Sequence, residues 1–141
     1  MNLARAIAIA VQAHDGQTDK SGYPYILHPL RVMLALDDDD ARIVGVLHDV
    51  VEDCPDWSFD RLRNEGFSDR VLHALSLVTK SSDDADYAAF IRRAMPDSIA
   101  RRVKRADLMD NLNAARLQHV SASDAERMNR YIAALVILDG N

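Results

Sequence analysis

His48, Asp49, Glu52 and Asp53 stand inside VLHDVVEDCP, residues 46–55, among Val46, Leu47, Val50 and Val51. Burying an unpaired charge costs more than a helix of this length can recover, so these groups must be solvated, paired or bound to a metal. Residues four apart are neighbours on a helix, so His48 and Glu52 share one face and Asp49 and Asp53 the adjoining stripe. Together they make one polar edge. Val44, Leu47, Val50 and Val51 occupy the rest, a pattern suited to a helix buried on several sides with one edge open to a polar cavity.

Two other stretches can bring partners to that edge. His28 stands beside Pro29 at the start of its own helix, and Asp107 lies four residues before Asn111 in VKRADLMDNL, where Val103, Met109 and Leu112 suggest burial. Two imidazoles and two carboxylates, His28, His48, Asp49 and Asp107, would make a mixed nitrogen and oxygen site for one divalent cation. An octahedral ion so held keeps room for a water and a substrate oxygen, as hydrolysis requires. Manganese or ferrous iron suits such a set better than zinc, which prefers four ligands and often thiolates.

Each piece alone has a plainer reading. A His-Asp pair on a helix is usually incidental, His28-Pro29 suits a helix start, and Asp107 could pair with Lys104 or Arg105 at the surface. Their joint occurrence, with Glu52 and Asp53 following at helical spacing, favours the site. His14, which ends a helix, and His73 and His119, which lack a suitably spaced carboxylate, are not expected as ligands. Tyr25 is read as packing rather than stacking, and Tyr131 as either.

The elements that must position these groups are helices. Apolar periodicity predicts helices over 2–14, 28–36, 40–53, 58–65, 68–79, 84–95, 97–117 and 122–138. Ser58, Ser68 and the SASD of 121–124 supply N-caps, the aspartates of 37–40 cap the helix that follows them, and Pro29 falls in a first turn. A polar loop, GQTDKSGYPY, joins the first two. No alternating β pattern, repeat or low-complexity linker interrupts the series. The expected fold is all-α, a compact multi-helix bundle around a cavity.

Composition narrows the function. The chain has 141 residues, 28% charged and 48% hydrophobic, with a net charge of −5, which fits one globular domain spanning 1–141. An acidic surface argues against nucleic acid as a partner but leaves room for a small anionic ligand in a local basic pocket. Cys54 is the only cysteine, so neither a disulfide framework nor a thiolate cluster is expected, and a reducing cytoplasm fits. No apolar run approaches the roughly 20 residues of a membrane span.

HDGQTDKSGYPYILHP, LHDVVEDC and VKRADLMDNL, in that order, resemble the successive signatures of the hydrolase domain of the RelA/SpoT enzymes, a branch of the HD-domain phosphohydrolases. ERMNRYIAAL resembles that family's closing stretch, so the likeness covers nearly the whole chain. With no room for a synthetase domain, it is nearest to the small stand-alone hydrolases. The resemblance implies a manganese ion in a helical cavity and removal of pyrophosphate from the 3′ position of guanosine tetra- or pentaphosphate. It puts His28, His48, Asp49 and Asp107 on the metal ligands and Glu52 and Asp53 on the acidic pair that activates water. Lys20, Asn111, Arg127 and Tyr131 fall on nucleotide contacts, with Lys80 or Lys104 as further cations for the pyrophosphates.

Three positions depart from the family pattern. Asp19 stands where an arginine is usual, Asp110 where a histidine is common, and Leu108 where an arginine is common. The reaction residues are intact while the base contacts are altered. Hydrolysis of another 3′-phosphorylated or adenine nucleotide therefore stays open, as does a noncatalytic nucleotide-binding module. The sequence leaves oligomeric state undetermined.

Overall fold

The computed structural model describes residues 1–140. Nine α-helices and one short 3₁₀ turn make up the regular structure of those residues: α1 (Leu3–Ala13), α2 (Leu27–Leu34), α3 (Asp39–Leu47), α4 (Val50–Asp53), α5 (Phe59–Asn64), α6 (Asp69–Leu77), α7 (Tyr87–Ala94), α8 (Ser98–Asn111), the turn Ala114–Arg116, and α9 (Ala122–Leu138). Among the described residues no strand occurs, only an isolated bridge between Thr18 and Pro24. The all-α expectation holds.

Most helix starts follow from local chemistry. The side chains of Asn2, Asp38, Ser58, Ser68, Asp86, Asp97 and Ser121 each accept a hydrogen bond from a backbone N–H of the first turn, filling donors that have no partner inside the helix. Ser121 and Asp124 form a reciprocal capping box, which gives the long last helix a defined start.

Helix α3 is the hub. Ala41 and Ile43 through Leu47 are all buried, and the helix packs against α1, α2, α6 and α8. A helix enclosed on so many sides carries apolar residues nearly all round, which is why its polar C-terminal end is conspicuous. A Cβ on Gly45 would meet the Leu36 side chain, just beyond α2, at 2.8 Å and would touch Met33 Cα of α2 at 3.5 Å. Helix α9 instead docks on α7 and α8 through a small second cluster of Ile91, Leu108, Ala134 and Leu138.

Two predicted helices are shorter than their periodicity suggests. The segment 40–53 breaks after Leu47, and His48 and Asp49 form the turn between α3 and α4. His48 Nδ1 donates to Gly45 O at 2.6 Å, a side-chain bond that competes for carbonyls of the helix end. The segment 97–117 ends at Asn111, and Asn113 caps a separate 3₁₀ turn by accepting from Ala115 N. Both breaks fall at the polar cavity.

Candidate metal centre and adjoining cavities

The break at His48–Asp49 aims two successive side chains at one point. His28 on α2, His48 and Asp49 each offer a ligand atom, and the three atoms lie within 4.8 Å of one another. Asp107 on α8 closes the group, with Oδ1 at 2.9 Å from His28 Nε2 and 3.4 Å from His48 Nε2. The four expected ligands therefore meet, although Asp107 stands outside the tight three-atom set. Its Oδ2 takes Lys104 Nζ at 2.8 Å, and its Oδ1 also accepts from Asn111 Nδ2 at 3.0 Å.

Both imidazoles have their tautomers set from outside the cluster. His48 Nδ1 donates to a backbone carbonyl, and His28 Nδ1 faces the Asp110 carboxylate at 2.6 Å, so in each ring Nε2 is the atom turned inward. His48 Nε2 is buried and makes no aligned hydrogen bond, although Asp49 Oδ2 lies 3.1 Å away. A buried ring nitrogen without a partner, facing carboxylates, is a donor set that fits a divalent cation.

The local charges show the same need for a cation. Burial works against a charge on His48, yet Asp49 and Asp107 raise its pKa well above the ordinary value. His28 is raised too, its hydrogen bonds to Asp107 and Asp110 outweighing burial. Burial would lift Asp49, but His48 brings it down to about 2. Asp107 is held well below the usual range because Lys104 and His48 outweigh its burial. The carboxylates stay ionised and draw positive charge to themselves.

Glu52 and Asp53 of α4 line the same cavity of about 500 Å³, at its exposed mouth. Enclosure by the wall, followed by the charge of Asp49, raises both pKa values, and Asp53 adds to the rise of Glu52. Carboxylates tuned upward are better proton acceptors at neutral pH than free ones. Lys80, Lys104 and Arg130 bring cations to that cavity. A second cavity of about 380 Å³ adjoins it and shares Tyr25, Asn111 and Tyr131 as a common wall; Lys20, Arg116 and Arg127 line its far side.

The expected nucleotide contacts thus divide. Asn111 and Tyr131 border both cavities, whereas Lys20 and Arg127 belong only to the second. Arg127 Nη2 also holds Asp124 Oδ1 at 2.7 Å. Asp19 reaches the second cavity's rim, but its Oδ1 accepts from Ser21 N at 2.9 Å and Tyr23 N at 3.0 Å. Its carboxylate stabilises its own loop, a frequent use of aspartate in turns.

Several site residues do not follow from the sequence reading. Tyr25 is no mere packing residue: its hydroxyl donates to Asp49 Oδ2. Lys104 is buried rather than superficial, its Nζ 4.9 Å from the Phe90 ring centroid. Asp110 and Arg31 pair behind His28. His14 is fully enclosed, its Nδ1 2.8 Å from Gln17 Oε1. His73 and His119 are exposed, in keeping with their exclusion.

Paired imidazoles and carboxylates from α2, the α3–α4 turn and α8 meet beside a second acidic pair in an all-helical cavity, the arrangement expected of the HD-domain class. No family model matches the chain. It is 32% identical over 121 residues to the guanosine-3′,5′-bis(diphosphate) 3′-pyrophosphohydrolase of Aquifex aeolicus, covering 78% of this chain and 17% of that protein. It is 38% identical over 86 residues to the protein of the same name from Borreliella burgdorferi, covering 58% of this chain and 13% of the relative. The chain thus spans less than a fifth of the length of these curated relatives. The solved structure of a metazoan SpoT orthologue, described as hydrolysing ppGpp, has the same fold: TM-score 0.79 at 23% identity, over 98% of this chain and 85% of that one. The chain belongs to the RelA/SpoT-type HD-domain family.

Proposed function

We propose that this chain is a manganese-dependent hydrolase that removes pyrophosphate from the 3′ position of guanosine tetra- or pentaphosphate. The observation that carries the reading is the inward-facing Nε2 pair of His28 and His48 with Asp49 and Asp107, beside a cavity that His28, Asp49, Asp107, Glu52 and Asp53 line and that adjoins a second, cation-lined one. The names of the relatives support the substrate.

His28, His48, Asp49 and Asp107 would hold the ion. When bound, a divalent cation supplies Lewis acidity toward phosphoryl oxygens and lowers the pKa of water. The protein's own groups do the rest. Glu52, assisted by Asp53, accepts a proton from the attacking water. The water oxygen bonds to the phosphorus attached to the 3′ oxygen, the bond between them breaks, and the 3′ oxygen takes up a proton. Lys80 and Arg130 face the departing pyrophosphate. Lys20, Arg116 and Arg127 in the second cavity neutralise the 5′ phosphates, and Asn111, Tyr25 and Tyr131 form the wall along which the nucleoside bridges the two.

A second reading, hydrolysis of another 3′-phosphorylated nucleotide such as an adenine one, is favoured by Asp19, which supplies no cation at the rim of the second cavity. Incubation of the protein with guanine and adenine 3′-pyrophosphates, each with manganese, ferrous iron or magnesium and with products separated by chromatography, distinguishes the two. Guanine preference with manganese supports the first; adenine preference supports the second.

A further inference from the structure

We infer that Asp110, clamped by Arg31, is a positioning residue that fixes the tautomer of His28 and so sets the affinity of the metal centre. The inference rests on the metal reading above and adds to it residues outside the proposed ligands.

Asp110 reaches His28 from the side away from the centre. Its Oδ2 lies 2.6 Å from His28 Nδ1. A carboxylate can only accept there, so Nδ1 carries a proton; Nε2, which faces Asp107 Oδ1 at 2.9 Å, is the atom that would give up its own proton to ligate an ion among Asp49, Asp107 and His48. Arg31 grips both oxygens of the same carboxylate, Nε to Oδ1 at 2.7 Å and Nη2 to Oδ2 at 3.1 Å. Arg116 approaches Oδ2 at 3.6 Å and donates to Asp110 O at 3.0 Å. The Asp110 side chain is 11% exposed. Three hydrogen bonds, two from Arg31 and one from His28, hold this carboxylate against the ring.

The arrangement is a carboxylate, histidine and metal relay, in which the outer carboxylate orients the ring and raises its basicity. An arginine in bidentate contact is a rigid anchor for such a group. Asparagine in place of Asp110 would fit the space but has a single oxygen. If that oxygen serves Arg31, the amide N–H₂ faces His28 Nδ1 and drives the proton to Nε2, blocking ligation. If it serves His28, the amide opposes the Arg31 donors.

Isothermal titration with Mn²⁺ alone, and with Zn²⁺ alone, tests this on the native chain, Asp110→Asn, Asp110→Glu and Arg31→Ala. Asp110→Asn is expected to bind either ion about 10- to 100-fold more weakly, Arg31→Ala to shift the same way by less, and Asp110→Glu to recover part of the loss. Nitrogen-15 spectra of the zinc-loaded native protein should show His28 protonated at Nδ1 and coordinated through Nε2, with that signature weakened in Asp110→Asn. A merely structural role would lower thermal stability without moving the tautomer. Native affinity and an unchanged His28 tautomer in Asp110→Asn would overturn the inference alone. Absence of ion binding by the native chain would overturn the metal reading and the inference with it.

Discussion

The two cavities that meet at Tyr25, Asn111 and Tyr131 are built by different rules. Around the metal centre the groups come from α2, the α3–α4 turn and α8, and His28, His48, Lys104 and Asp107 are buried. Across the shared wall, Lys20, Asn113 and Arg127 come from a loop, a 3₁₀ turn and the surface of α9, and the first two are exposed. A group held in the core cannot be changed without opening a charge or a void. A group on a surface loop can be exchanged at small cost. On the proposed reading, reaction chemistry resides in the rigid half and ligand choice in the adaptable half, where Asp19 departs from the family pattern.

The comparison is most easily broken in the core. Asp107→Ala removes one proposed ligand and leaves Lys104 buried without its partner. Loss of stoichiometric metal by elemental analysis is expected, together with a destabilisation of about 3–5 kcal/mol in urea unfolding. A variant that keeps full metal occupancy would detach Asp107 from the site.

Next in size is the separation of binding from chemistry. Glu52→Gln can still hydrogen-bond water but cannot take its proton, so turnover should fall roughly 10²- to 10⁴-fold with metal occupancy unchanged. In the metal-free protein the Glu52 carboxyl should titrate above the ordinary glutamate range, as followed by carbon-13 NMR. Because its pKa is raised by burial and the neighbouring carboxylates, the carboxyl of the metal-free protein loses charge earlier than a free glutamate as the pH falls.

The adaptable half should answer differently. Arg127→Ala takes a cation from the second cavity, remote from the reacting phosphorus, and its loss should act equally on ground and transition states. Steady-state kinetics should show KM raised roughly tenfold with kcat little changed. A fall in kcat alone would place Arg127 with the chemistry and erase the contrast.

Away from both cavities, Asp97 serves as a control. It caps α8 through Ala100 N at 2.9 Å and holds Arg70 Nη1 at 2.7 Å. Partial burial raises its pKa, but those bonds hold it below the ordinary value. A depressed folded pKa gives stability that is present above the unfolded value and lost as pH falls through the folded one. Asp97→Ala should therefore cost about 1 kcal/mol near neutrality, a difference that fades at acid pH in parallel urea titrations.

The smallest effect is assigned to Asp19→Arg. The substitution adds a donor beside Lys20 but removes the acceptor of Ser21 N and Tyr23 N. Guanine and adenine KM values should change by no more than a few fold, and less at high salt. A large gain for guanine would mean that the loop tolerates the loss and that Asp19 alone weakens base recognition.

The contrast also explains what could be read in advance. Helix positions were legible because apolar periodicity is a local signal, whereas the meeting of His28, His48, Asp49 and Asp107, far apart in the chain, was expected only from their joint occurrence and the family resemblance of the segments that hold them. The break at His48–Asp49 was not legible, because VLHDVVED keeps helical apolar periodicity across it, and the His48 bond to Gly45 O that accompanies the break is a side-chain contact the pattern does not carry. The burial of Lys104 and the link from Asp110 to His28, 82 positions away in the chain, depend on how α2 and α8 pack. Tyr25 looked like a packing residue because the partner of its hydroxyl, Asp49, lies on a different element.

The central claim is that the metal centre and the acid pair act on a 3′-pyrophosphate. The most direct measurement is product analysis of guanosine tetraphosphate incubated with the manganese-loaded chain, its chelated form and His48→Ala. The account predicts inorganic pyrophosphate and guanosine 5′-diphosphate with a free 3′ hydroxyl, formed by the loaded native chain and lost in the other two. Orthophosphate as the product, or hydrolysis indifferent to chelation and to His48, would contradict it.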